Sequence, residues 1–214
     1  MKLSRPRLIA LIALGTICAA LSGIGIYGLI VGPRQPPPSH TAGPSTRPST
    51  APPAGSPSAI PATDDPKAFA EAAARAIFDW NTTAGPTRAD IIEELLAVGD
   101  PSGLETAGLN QDLQGYLPTA PQWALLAQYD TQQQLTIDSA TTPTTWAGIA
   151  ADPDNAIPAG TTAITIIGTR TRTGGIDGAA SSSDSPVAFT AFLRCAPEAG
   201  CALLRLSKLG STLP

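Results

Sequence analysis

The alternation of hydrophobic and polar positions changes rhythm block by block along this chain of 214 residues. Residues 8–32, LIALIALGTICAALSGIGIYGLIVG, run for 25 positions without a charge, which is long enough to cross a bilayer with some tilt. Residues 33–62, PRQPPPSHTAGPSTRPSTAPPAGSPSAIPA, carry almost nothing apolar to bury and hold 10 of the chain's 22 prolines. A helical rhythm follows. Phe69, Ala72, Ala73, Ala76, Ile77 and Trp80 recur on one helical face, behind Asp64 or Asp65 as N-cap and Pro66 at the first helical position. GPTRADIIEELLAVGD predicts a second helix, with Thr87 and Asp90 as a capping box and Gly99 as its stop. LETAGLNQDLQGYL and APQWALLAQYD predict two shorter helices, the latter starting after Pro121.

From residue 131 the period shortens to two. TQQQLTIDSA, TTAITIIGTRTR, VAFTAFLRC and CALLRLSKL are rich in β-branched residues and read as strands. TGGIDGAASSSDSP, between the second and third, reads as a long mobile loop, and APEAG, between the third and fourth, as a tight hairpin. Helices followed by adjacent antiparallel strands predict an α+β domain over 63–214, with helices on a curved sheet of about four strands.

Charge divides the chain at the same place. Residues 63–214 hold 8 Lys and Arg against all 17 acids, a net charge of −9, whereas the first 62 residues carry +5 and no acid. An acidic domain repels phosphate backbones, so direct nucleic-acid binding by the globular part is not expected. Lys2, Arg5 and Arg7 precede the apolar run, and Arg34 is the basic residue that follows it closely. By the positive-inside rule, residues 1–7 form a cytoplasmic tail, 8–32 a transmembrane helix, 33–62 an exported disordered linker and 63–214 an extracellular domain. A cleaved signal peptide has a shorter apolar core, of about 7–15 residues, so an uncleaved anchor in the cell membrane is the expectation. Cys18 lies inside that anchor. A proline-rich linker favours extended conformations and reaches up to about 90 Å over thirty residues.

Cys195 and Cys201 flank the APEAG hairpin. They raise the choice between a redox pair, half a metal site and a staple. Export places them where disulfides persist, and a five-residue hairpin loop sets its flanking residues opposite each other. A redox pair needs a polarised thiolate, and a zinc site needs further ligands that these residues do not supply. A disulfide is expected.

Catalytic signals are thin. The one histidine, His40, lies in the linker, which excludes a histidine-based triad from the domain. TGGIDG lacks the strand-to-helix context of a phosphate loop, and DPDN at 152–155 lacks the rest of a calcium loop. NTT at 81–83 matches a glycosylation sequon, but Asn81 beside a helix end reads as a C-cap. Glu93 and Glu94 diverge on their helix. Asp130 and Asp138 flank the first long strand, with Tyr116 and Tyr129 before it; an Asp–Tyr pair inside a conical sheet is the one arrangement for proton abstraction. Trp80, Trp123 and Trp146 read as packing residues, and Arg170 with Arg172 as a basic stripe on one strand face. No metal, cofactor or catalytic residue is assigned.

AFAEAAARAIFDWNT, GPTRADIIEELLAVGDPSG, GYLPTAPQWALLAQYDTQQQLTI, IPAGTTAITIIGTRTRTG and VAFTAFLRCAP with CALLRLSKL resemble an uncharacterised family of actinobacterial conjugal-transfer proteins encoded on plasmids and integrative mobile elements. The layout of tail, anchor, linker and α+β domain also resembles bitopic, cystatin-like (nuclear-transport-factor-like) subunits of type IV secretion systems. The resemblance implies a cystatin-like roll and a non-enzymatic scaffold or assembly subunit of a conjugative DNA-transfer apparatus. Such a subunit self-associates and contacts other membrane subunits. Two other classes stand beside it: an exported ligand-binding or sensing module, and a histidine-free isomerase-type enzyme on the same fold. A defined apolar pocket with a buried carboxylate marks those two, whereas a filled interior with exposed apolar surface marks the scaffold.

Overall fold

The computed structural model describes residues 60–155, 157–176 and 179–214. The apolar run 8–32, Cys18, His40 and the linker up to residue 59 lie outside the described residues. Among the described residues no helix is long and apolar enough to cross a membrane.

Helix α1 spans Pro66–Phe78; Asp65 caps it, its carboxylate accepting from the backbone N–H groups of Lys67 and Ala68. Helix α2, Arg88–Ala97, opens with the expected capping box of Thr87 and Asp90. Helices α3, Thr106–Tyr116, and α4, Ala120–Ala127, follow. α4 starts one residue ahead of Pro121, because Thr119 and Gln122 form a second capping box and proline is tolerated in a first turn. Helix α5, Trp146–Ala151, went unread in the sequence.

Five strands form one antiparallel sheet in chain order: β1 Trp80–Asn81, β2 Gln132–Thr141, β3 Thr161–Ile176, β4 Ala179–Ala196 and β5 Gly200–Leu206. The sheet is therefore five-stranded rather than about four, with β1 too short to show a period. The sheet curls into a half-barrel that carries α1, α2 and α3 on one face and the short α5 on the other. Asn81 is a strand residue rather than a cap. Its side-chain oxygen accepts from the backbone N–H groups of Thr83 and Ala84, while Asp79 caps α1.

The long loop expected at TGGIDGAASSSDSP is also corrected. β3 and β4 stay in register from Thr161↔Arg194 out to Ile176↔Ala179, leaving only residues 177 and 178 between them. The serine-rich arm has weak strand propensity and no apolar face. Its partner strand supplies the hydrogen-bond ladder that propensity lacks, and Thr171 Oγ1 donates to Asp184 across the pair at 2.7 Å.

Alternate residues of β3 and β4 face the helices. Ile164, Ile166, Val187, Phe189, Ala191 and Leu193 are buried there against Phe69, Ala73, Ile77 and Phe78 of α1. Ile60, just before the expected domain start, belongs to the same core. The β5 edge is covered: the N–H groups of Cys201, Leu203 and Leu206 donate to Thr63 O, Val98 O and Asp112 Oδ2 respectively. Such coverage removes an exposed template for strand addition.

Candidate binding cavity

The helix-covered face is packed solid at its centre. Phe78, Tyr116 and Phe189 form an aromatic cluster with ring centroids 5.3–6.0 Å apart. Tyr116 donates its hydroxyl to Ser207 O at 2.6 Å, and burial raises the phenol far above its ordinary value. It is a packing residue with its one polar atom satisfied. Tyr116 is buried while Tyr129, Asp130 and Asp138 are exposed at the surface, so the Asp–Tyr pairing considered for proton abstraction is not assembled. Glu93 is also exposed; Glu94 is half-buried, and burial raises its carboxyl.

The basic stripe stays together, with Arg172 the more firmly held. Arg172 lies 5.2 Å over the Trp80 ring and donates to Gln133 Oε1 at 2.8 Å. Gln133 in turn donates to Phe78 O, and Trp123 stacks on Trp80 at 4.9 Å. Burial, then the neighbouring Arg170, lowers the Arg172 guanidinium from its ordinary value. This side chain is therefore structural. Arg170 and Arg172 both line an open depression of about 350 Å³ with Tyr116, Leu125 and Leu126.

A mainly apolar cavity lies on the opposite face of the sheet, where the outward residues of β3 and β4 carry a second, smaller core. Trp146 of α5 packs on Phe192 at 5.9 Å, and Ala163 and Leu204 are buried nearby. Thr165 and Thr190 bond each other at 2.9 Å, and Thr190 accepts from the N–H of Leu213, which draws the C-terminal segment over the sheet. Thr145 also donates to Pro214 O at 2.7 Å. This core is incompletely filled. It leaves about 400 Å³ among Trp146, Ile149, Ile157, Phe192, Leu204 and Leu213, with Leu104 at 84% exposure beside it.

One end of the cavity is ionic. Asp100, 7% exposed, pairs with Arg194 and accepts from Ser102. The Ser102 hydrogen bonds, aided by Arg194, hold its carboxyl below the usual aspartate value, so it stays ionised and fully engaged. A general base at neutral pH needs the reverse, a carboxyl raised and free to accept. Arg205 makes a two-pronged contact with Asp112, at 2.7 and 3.1 Å, with Glu105 at 3.6 Å. Gly108 leaves room for that guanidinium, since a Cβ there would sit 2.6 Å from Arg205 Nη1.

Cys195 and Cys201 face each other across β4 and β5 with Cα atoms 4.0 Å apart, a pair compatible with a disulfide. Among the described residues no group of three or more His, Cys, Asp or Glu is gathered to hold a metal ion. Sequence reading missed the cavity, because it is assembled from α5, the C-terminal segment and the loops around Asp100 and Ile157. Trp146 was its one advance signal.

Helices packed on a curled, five-stranded antiparallel half-barrel define the domain's class. Compared with known protein families, with characterised proteins and with solved structures, the chain has no match.

Proposed function

We propose that this chain is a non-enzymatic, single-pass membrane scaffold that helps assemble a conjugative, type IV secretion-like DNA-transfer apparatus. In this reading the N-terminus is cytoplasmic, residues 8–32 cross the bilayer and a cystatin-like domain stands outside the cell, stapled by Cys195–Cys201. Anchoring concentrates such domains in two dimensions and raises the effective concentration for weak contacts with one another and with other membrane subunits. The net charge of −9 over residues 63–214 suits basic partner surfaces and discourages nucleic acid.

The observation that carries the reading is the packed helix-covered face. Phe78, Tyr116 and Phe189 fill the centre of the helix-covered face, so on that side the domain offers surface rather than an interior. Leu104, Leu125 and Ile167 expose apolar side chains from different elements and supply contact points. The segments that resemble conjugal-transfer proteins support the apparatus named.

The test is DNA-transfer frequency from a donor lacking the gene, complemented by the full chain or by residues 1–62 alone. Transfer is expected to collapse and to return only with the full chain. Unchanged transfer in the deletion refutes the scaffold reading.

A further inference from the structure

We infer that the cavity between α5, the C-terminal segment and the outer face of β4–β5 binds a neutral, mainly apolar small molecule with one hydrogen-bonding group. Its volume of about 400 Å³ falls in the range of small-molecule sites, and its walls are Trp146, Ile149, Ile157, Phe192, Leu204 and Leu213. Charge selects for neutrality. Arg194 is already matched by Asp100, and Arg205 by Asp112 and Glu105, so an ionised ligand would have to break an existing pair or enter against one. A neutral ligand leaves both pairs intact.

The site also holds polar capacity that the protein leaves unused. Thr161 lines it, but its Oγ1 is closed to a water-sized molecule, so the polar contact on offer is that of Arg194. Asp100 engages only Nη2 of Arg194, which leaves other guanidinium N–H groups to meet a ligand oxygen. This binding does not rest on the scaffold reading, and an apolar pocket beside the buried Asp100 is the mark of the ligand-binding class; the cavity lies on the face of the sheet away from the aromatic cluster.

The experiment is a titration of the full chain, reconstituted in lipid nanodiscs, with 1-naphthol, a neutral bicyclic probe with a single hydroxyl. Isoleucine methyl resonances are followed by ¹³C NMR. Ile149 and Ile157 line the cavity, whereas Ile77, Ile91 and Ile166 are buried in the main core and serve as internal controls. Saturable shifts at Ile149 and Ile157 on one shared curve, with the three controls still, are expected. Ile149→Arg should weaken binding by about tenfold or more. The inference is overturned by shifts that do not saturate, by equal shifts at the core isoleucines, or by binding that survives Ile149→Arg in a folded protein. If that variant does not fold, the wild-type shift pattern decides alone.

Discussion

Replacing Gly168 by alanine tests how closely β2 and β3 approach at the irregularity between Ile137 and Ser139. An added Cβ would stand 2.3 Å from Thr136 O and 3.2 Å from Ile137 Cα. Both are backbone atoms, which cannot swing aside as the end of a side chain can. Restoring van der Waals separation requires β2 to retreat by about 1 Å. That retreat stretches the ladder around Thr136↔Thr169 and Ile137↔Gly168. Weakening two ladder bonds costs about 2 kcal/mol, and the lower unfolded-state entropy of alanine returns up to about 1 kcal/mol. A net loss of about 1–2 kcal/mol is expected. Urea unfolding followed by tryptophan fluorescence measures it, as a fall in midpoint of roughly 0.5–1 M at unchanged slope. Gly115→Ala is the control: no atom lies within 4 Å of its added Cβ in α3, and a gain of about 0.5 kcal/mol is expected there. A Gly168→Ala protein as stable as the wild type refutes the close approach.

Two further outcomes concern the hairpin and the acid limb. Cys195 and Cys201 are six positions apart, so the double change to serine should lower unfolding stability by about 2 kcal/mol, the loop-closure value for so short a ring. Denaturation with and without reductant measures the same quantity in the wild type, and equal midpoints would disprove the staple. Acid should destabilise the domain as pH falls below the ordinary aspartate value of 3.8, through Asp100 and Asp90, whose folded-state values are lowered by hydrogen bonds from Ser102 and Thr87. Their stabilisation is present above the unfolded value and lost as pH falls through the folded one. Burial raises Asp79 and Glu94, whose contributions run oppositely and fade as pH rises. Asp100→Asn should flatten the acid limb in a pH series of thermal melts, and an unaltered profile would deny it that part.

Local chemistry made much of the fold legible. Asp65 and the Thr87–Asp90 box marked helix starts because capping is settled within four residues. The β-branched runs marked β2 to β5 because half-buried strands need alternation. What escaped depends on distant partners. The serine-rich arm of β4 is a strand only because β3 runs beside it, and β1 is two residues long and visible only through its pairing with β2. The cavity was hidden for the same reason, being built from four separated segments whose meeting no local pattern announces. The strand pattern that marks Arg170 and Arg172 as a basic stripe carries no sign of the Gln133 and Trp80 contacts that hold Arg172.

The junction at Thr63 also has a mechanical meaning. The chain enters the domain with Thr63 O bound to the N–H of Cys201, on the outermost strand. Displacing Thr63 breaks this hydrogen bond and uncovers the start of that strand. With Cys195 and Cys201 joined, β5 stays tied at that end to β4, the longest of the described strands, which is itself held by its ladder with β3. The staple then acts less as a source of folding stability than as a rivet that holds the outermost strand to the middle of the sheet.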